Sequence, residues 1–423
     1  MITQLTSATL AVGSMGTLAY ATRADGLPMS VRSASRNSAA QPPGGLQVAD
    51  APLFVSVTFD DNFDQEGMSW ASGFFRELRN PAGAGTAASF DGAPARTTFY
   101  VTSGYAADMR DSWLAALRDG HEIGNHTDSH GDGLEFTLEQ WTREIATCNA
   151  KARAAFASPT QPFRLRGFRA PFLHYNDRLF DALLSNGLVY DTSIMSCWAD
   201  SADGKSCSWP YAMDHGSPDA DAIYAKWGSR QVAPVSAHPG LLEIPVSVAF
   251  VPDDSLAAQY GFSPGLRQRV QDQLADAANP SFFEQATGKL VGMDITMFMN
   301  AKMTKEEALA TMKHTLDLRL AGNRAPLVFI AHPHVYSSRW DVHAPGVPDA
   351  ADRRSVIEEF VRYALSKPEV RMRPLADVAT WLKKPVGLTL APPRPADRYS
   401  PGASLHREVG GARWRSKNSS RLD

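Results

Sequence analysis

The chain has 423 residues, 43% of them hydrophobic and 21% charged, an ordinary globular balance with enough apolar material for a large core. A formal net charge of -3 lacks the basic excess that nucleic acid or an anionic membrane surface demands, so neither partner is expected and an uncharged polar substrate fits better. Three cysteines, Cys148, Cys197 and Cys207, make no Cys-x-x-Cys pair and no Cys/His zinc signature.

Residues 1–24 are mildly apolar and end near Ala19-Tyr20-Ala21, which resembles a small-residue cleavage site. They read as a candidate signal segment, although no Lys or Arg precedes the apolar part and Ser, Thr and Gly interrupt it. The segment is too short and polar for a transmembrane helix, and no other stretch approaches a membrane span. Export to the periplasm or outside is the expectation, with a cytoplasmic location left open. Cys197 and Cys207 bracket a short polar loop: an exported chain would join them, a cytosolic one would keep two thiols. Residues 25–50, with Pro42-Pro43-Gly44-Gly45, read as a linker, 51–389 as one folded unit, and 390–423 as a tail without hydrophobic period.

Within the folded unit, Leu53–Phe59 is a buried strand that stops at Asp60-Asp61, and Thr97–Val101 is a second strand. Asp111–Arg118 carries Trp113, Leu114 and Leu117 on one helical face and stops at Asp119-Gly120. His121–Asn125 is a short strand leading into His126-Thr127-Asp128-Ser129-His130. Thr137–Ala157 is a longer helix, with Thr137 as N-cap and Gln140 three residues on, the capping-box spacing. Phe168–Pro171 ends another strand, Asp177–Asn186 is a helix closed by Gly187, and Leu188–Asp191 is the next strand. Leu242–Ala249 and Pro326–His332 are two more, with a Thr304–Leu320 helix between them. Arg353–Ser366 is an amphipathic helix, Val370–Arg373 a last strand and Ala376–Leu382 a last helix. Ser255–Met303 carries no motif.

This strand-then-helix rhythm predicts a mainly parallel sheet or barrel. Asp60-Asp61, His126, Arg169, Asp191 and His332 all fall at or just past the C-terminal ends of predicted strands, the rim on which such folds build active sites. One carboxylate and two histidines four apart make a three-ligand metal site with open positions, which suits catalysis better than structure. The spacing predicts the two histidines on one face of a helix or its leading turn. The spare carboxylate could then serve as general base toward water.

In this order the residues resemble the motifs of polysaccharide deacetylases, the carbohydrate esterase family four. The first motif is similar to Thr58-Phe59-Asp60-Asp61, and the second, His-Ser/Thr-x-x-His, to His126–His130. The third, Arg-x-Pro-Tyr/Phe, is similar to Arg169-Ala170-Pro171-Phe172, and the fourth to Tyr190-Asp191-Thr192-Ser193. The fifth, a hydrophobic strand ending in His, is similar to Leu327–His332. The resemblance implies a distorted (β/α) barrel with fewer than eight parallel strands, a single catalytic domain with loop insertions. It implies Asp61, His126 and His130 as ligands of one divalent ion, zinc first, with cobalt, nickel or manganese also suited.

By the same resemblance Asp60 would be the general base, oriented by Arg169. His332 would be the general acid, supported by Asp191. His334 lies two residues on, and spacing alone leaves it open; alignment with the motif favours His332. The resemblance also places Pro171 and Phe172 against substrate, with the backbone N–H near Phe172 receiving the oxyanion. Trp209 and Tyr211, in loops similar to those of chitin-deacetylase members, could stack on sugar rings, with core packing equally open. The implied reaction is removal of N-acetyl groups from an N-acetylglucosamine-containing poly- or oligosaccharide, releasing acetate. An amidase or esterase acting on peptidoglycan, an O-acetyl sugar or a small non-sugar amide is an alternative, as is a carbohydrate-binding homologue without catalysis.

Overall fold

A computed structural model describes residues 40–156, 163–199, 202–227, 234–275, 282–340 and 345–389. The candidate signal segment 1–24, most of the linker and the tail 390–423 lie outside the described residues. Residues 40–50 form two short 3-10 turns, Pro43–Gly45 and Val48–Asp50, and the Asp50 carbonyl accepts from Leu388 N, so the two edges of the 51–389 unit meet.

Strands appear in the order β1 (Leu53–Phe59), β2 (Thr98–Val101), β3 (Glu122–Asn125), β4 (Gly167–Phe168), β5 (Tyr190–Asp191), β6 (Met195–Ser196), β7 (Tyr211–Ala212) and β8 (Leu242–Glu243). They continue with β9 (Val246–Ser247), β10 (Ala249–Phe250), β11 (Phe283–Glu284), β12 (Lys289–Leu290), β13 (Leu327–Ala331) and β14 (Val370–Arg371). The main sheet runs β13-β1-β2-β3-β4-β5-β8-β7. The first seven strands on that path are parallel, and β7 joins the edge antiparallel. Short β14 lies off the path, parallel to Leu53 and Phe54 of β1.

β1 is buried along its whole length, as a strand covered on both faces must be, and reads as a nearly continuous apolar run. Its two polar residues are bonded inside the barrel. Thr58 Oγ1 donates to the Phe329 carbonyl at 2.9 Å, and Ser56 Oγ lies 3.4 Å from Thr97 Oγ1. No ladder joins the two ends of the path among the described residues. Instead β9, just beyond β8, comes alongside β13, where Ser247 Oγ accepts from Val328 N at 3.1 Å. The sheet is thus a curled, incompletely closed barrel with seven staves, the distorted form expected from the sequence.

Helices cover the outside. Leu138–Phe156 buries Trp141, Ile145, Cys148 and Ala152, spaced for one helical face. The expected capping box is formed: Gln140 N donates to Thr137 Oγ1, and Thr137 N to Gln140 Oε1. The expected Asp111–Arg118 helix begins earlier, at Ala106. The expected Leu242–Ala249 strand is instead a series of two-residue pieces, Leu242–Glu243, Val246–Ser247 and Ala249–Phe250; the first break falls at Pro245, which carries no N–H for a ladder. Helix Gln65–Phe74 was not expected from the sequence, nor was the small sheet β10-β12-β11. Cys197 and Cys207 form a disulfide, their Cα atoms 4.9 Å apart.

Helix Gln65–Phe74 lies directly against the turn after β13. A Cβ added to Gly67 would sit 1.8 Å from the Pro333 carbonyl oxygen, a contact only glycine permits. Gly67→Ala is therefore expected to lose about 1–3 kcal/mol of stability, read by urea denaturation; an unchanged midpoint would contradict this close approach.

Candidate active site

The two carboxylates at the end of β1 are parted by backbone geometry. Asp60 N still donates to Ala331 of the neighbouring strand, at 2.8 Å. Asp61 and Asn62 then turn left-handed, with φ of 65° and 56°, a conformation that Asp and Asn tolerate better than most residues. Asn62 pins the turn: its Nδ2 donates to the carbonyls of Phe59 and Tyr100, at 2.9 and 2.8 Å, and its own carbonyl accepts from Trp113 Nε1. The Asp60 carboxylate consequently meets Arg169, and the Asp61 carboxylate meets the histidines.

Arg169 is fully buried at the end of β4. Its Nη1 donates to Asp60 Oδ1 at 2.8 Å and to Thr58 Oγ1 at 2.7 Å, and its Nε donates to the Thr192 carbonyl. The guanidinium lies 4.4 Å over the Tyr100 ring. Asp60 Oδ2 has no hydrogen-bond partner among the described residues.

His126 and His130 lie on a loop rather than a helix, which corrects the sequence-based expectation. Thr127 and His130 have φ of 68° and 58°, outside helical space, so the histidines converge by loop shape and not by helical pitch. The loop is tied down by Glu144 Oε2, which accepts from the N–H groups of Asp128 and Ser129. His126 Nδ1 donates to the Arg169 carbonyl at 2.7 Å. A carbonyl can only accept, so Nδ1 carries the proton and the Nε2 lone pair faces Asp61.

Asp61 Oδ1 lies 2.9 Å from His130 Nε2 and 3.4 Å from His126 Nε2. One donor atom from each of the three residues falls within 4.8 Å of the others, the single such cluster among the described residues. Asp61 Oδ1 is buried and makes no well-formed hydrogen bond, so the histidine nitrogens do not satisfy it. An orphaned buried oxygen facing two imidazole nitrogens fits a divalent cation. Burial alone would raise the Asp61 carboxyl. The contacts with His126 and His130, and the charge of His332, outweigh it and hold the group well below the usual carboxylate range.

His332 follows β13, with a fifth of its side chain exposed. Its carboxylate partner is Asp294, not Asp191. His332 Nδ1 donates to Asp294 Oδ1 at 2.9 Å, and its backbone N–H to Oδ2 at 2.6 Å. Burial would lower the imidazole, but Asp294, then Asp61 and Asp60, override it and push the group up to about 9. Asp191, also fully buried, points elsewhere: its carboxylate accepts from Ser193 N and Oγ. Ser193 Oγ in turn receives the Ala170 N–H, so Asp191 braces the turn after β4 from behind. His334 is turned into an aromatic stack, 4.5 Å from the Phe63 ring and 4.6 Å from that of Trp340, and burial together with the charge of His332 pushes it down to about 4. Of the two histidines, only His332 meets a carboxylate.

Pro171 is buried and starts a 3-10 turn, while Phe172 is 55% exposed, with its ring 4.7 Å from that of His130. The Phe172 N–H lies in the first turn of this segment, where a backbone donor lacks an acceptor within the turn. Trp209 and Tyr211, for which sugar stacking and core packing were both open, are core residues. Trp209 is 1% exposed and donates from Nε1 to the Asn323 carbonyl; Tyr211 is 8% exposed and its hydroxyl meets Ser217 Oγ. Neither presents a ring face to solvent.

Residues 52–190 match the family model described as polysaccharide deacetylase. Over those residues the chain is similar to a polysaccharide deacetylase domain. Among proteins similar to this chain, chitin deacetylase 8 of Bombyx mori is 29% identical over 187 residues, 43% of this chain and 45% of that protein. Chitin deacetylase 1 of Bombyx mori is 25% identical over 201 residues, 46% of this chain and 33% of that protein. The matches thus span less than half the length of these relatives. A putative polysaccharide deacetylase from Mycobacterium smegmatis superposes with a TM-score of 0.47 at 17% identity, covering 84% of this chain and 99% of its own. A probable polysaccharide deacetylase from Pseudomonas aeruginosa PAO1 gives 0.44 at 15%, covering 81% and 95%.

Sequence reasoning missed Asp294, the partner of His332. Its one signal was a lone charge inside the apolar run Leu290–Met299, where a buried carboxylate needs a partner. In metal-free protein the His332 ring is expected to titrate near pH 9 by NMR, and Asp294→Asn to lower that midpoint by more than about one unit. A raised histidine contributes stability that is complete below its unfolded value of roughly 6.5 and lost as pH rises through about 9. The stability gap between native protein and Asp294→Asn should therefore shrink across that window, and a constant gap would count against the pairing.

Proposed function

We propose that this protein is a metal-dependent hydrolase that removes N-acetyl groups from N-acetylglucosamine-containing saccharides of the chitin type, releasing acetate. One observation carries the reading. A three-residue ligand cluster, a carboxylate held by a buried arginine and a histidine held by a buried aspartate share one rim of the barrel. The names of the relatives, both chitin deacetylases, support the substrate class. The Cys197–Cys207 disulfide supports export.

Asp61, His126 and His130 would hold the cation, zinc by the chemistry of two imidazoles and one carboxylate, with cobalt, nickel or manganese also suited. When bound, such an ion supplies Lewis-acid polarisation of the acetyl carbonyl and a water of lowered pKa.

The chain's own residues do the rest. Asp60 is general base: Arg169 holds its Oδ1, and the unengaged Oδ2 takes a proton from the attacking water. The Phe172 N–H receives the oxyanion as the carbonyl carbon becomes tetrahedral. His332, kept cationic by Asp294, gives a proton to the departing nitrogen as the C–N bond breaks. The products are acetate and a free amine. Asp191 contributes at one remove, through Ser193 and the turn that carries Arg169 and Phe172.

Asp60→Asn should cut turnover by about 10²–10⁴-fold with divalent metal still bound, whereas His126→Ala should lose the metal itself. The measurement is elemental metal content alongside acetate release, on acetylated chitooligosaccharides, peptidoglycan, acetylxylan and small amides. Undiminished activity in Asp60→Asn would overturn the base assignment, and release from small amides alone would overturn the substrate class.

A further inference from the structure

The loop 126–130 has an unfavourable backbone shape to maintain. Thr127 and His130 are left-handed, a state that residues other than glycine hold only where their surroundings over-determine it. That shape brings the His130 ring within 5.1 Å of the His126 ring and turns both toward Asp61.

All five backbone N–H groups of the loop have acceptors, as a buried irregular segment requires. His126 N donates to the Val101 carbonyl at 3.0 Å, Thr127 N to Asn125 Oδ1 at 2.9 Å and His130 N to Thr127 Oγ1 at 3.0 Å. The remaining two, Asp128 N and Ser129 N, donate at 3.1 and 2.9 Å to a single atom, Oε2 of Glu144. The first three acceptors belong to β2, β3 or the loop itself. Glu144 comes from the covering helix Leu138–Phe156.

That helix is a firm support. It buries Trp141, Ile145 and Cys148, and Asn125 Nδ2 donates to the Ile145 carbonyl and to Asn149 Oδ1, each at 3.1 Å. The turn after β2 adds two bonds, from Ser103 N and Gly104 N to the Thr127 and Asp128 carbonyls, at 3.1 and 2.8 Å. A loop already ordered in this way loses little conformational entropy when a ligand arrives, and binds it more tightly for that reason.

We propose that Glu144 is a positioning residue for the metal site: through two backbone N–H groups it holds the loop of His126 and His130 in its ligating shape in metal-free protein, and so raises the affinity for the ion. The ion rests on the metal-dependent reading above; the clamp rests on the hydrogen bonds to Glu144.

The test measures zinc affinity by competition with a chromophoric chelator, in native protein and in Glu144→Gln, Glu144→Met and Glu144→Ala. The Met and Ala variants lack the acceptor and should bind zinc about tenfold more weakly or worse. Gln offers an acceptor oxygen at the same reach without the charge, and should stay within about threefold of native. Charge attraction alone would weaken all three alike; that result, in variants that melt like native protein, would overturn the proposal. A second measurement needs no variant. In metal-free native protein the Asp128 and Ser129 amides should exchange hydrogen nearly as slowly as with zinc bound, and fast exchange that only zinc suppresses would overturn the clamp whether or not the variants fold. Native protein that takes up no zinc would overturn the metal reading and the positioning role with it, whereas zinc bound equally by native protein and every variant would overturn the positioning role alone.

Discussion

The buried guanidinium of Arg169 is the constraint on which the rest of the site depends. A charge removed from water must be repaid by its surroundings, and here the repayment comes from Asp60 and Thr58 on β1, the Thr192 carbonyl after β5, and the face of Tyr100 on β2. The one side chain thereby fixes the relative positions of strands that are only distantly connected in sequence. Its own carbonyl fixes the tautomer of His126. The proposed base and the proposed metal ligand are therefore set by the same residue, one through its side chain and the other through its backbone. Geometry of this kind does not wait for substrate to be assembled.

For His332 the insertion between β9 and β13 plays the corresponding part. Asp294 takes three N–H groups, from the His332 ring, the His332 backbone and Ile295, and it caps a π-helical turn, Ile295–Asn300. Such turns cost regular hydrogen bonding and tend to persist where they aim a functional group. The incompletely laddered gap of the barrel is also on this side, where β9 meets β13 through Ser247. A segment that packs the open seam thus also holds the histidine proposed as proton donor.

What could be read from the sequence follows from the length scale of each signal. Buried strands such as β1 and β13 announce themselves by continuous apolar runs, and the Thr137–Gln140 cap by its spacing, so the rim positions of Asp60, Asp61, His126, Arg169 and His332 were legible. The strands of the insertion are two residues long and carry no period, so their sheet was invisible. The link between Asp294 and His332 joins residues 38 apart with no local pattern, and Asp191, at the end of a readable strand, took its place in the expectation. Trp209 and Tyr211 were left open between sugar stacking and core packing and proved to be core, because ring size favours burial when a backbone carbonyl or a serine can meet the polar tip.

The distribution of charge explains why a cation fits one place and not another. Behind the rim, Asp191 and Glu243 face each other across β5 and β8 in full burial, and burial, then the neighbouring charge, drives Glu243 well above the carboxylate range. An acid so placed tends to keep its proton, and the pair then offers a divalent ion less charge and no imidazole nitrogen. At the rim the charges are matched in another way. Asp60 is paired with Arg169, and Asp294 with His332. Asp61 remains, held ionised although buried, with its nearest neighbours two imidazoles, one of which turns a lone pair toward it. After the pairs are counted, one negative charge and two nitrogen donors are left over at the same point, and that residue of charge is what a divalent ion would complete.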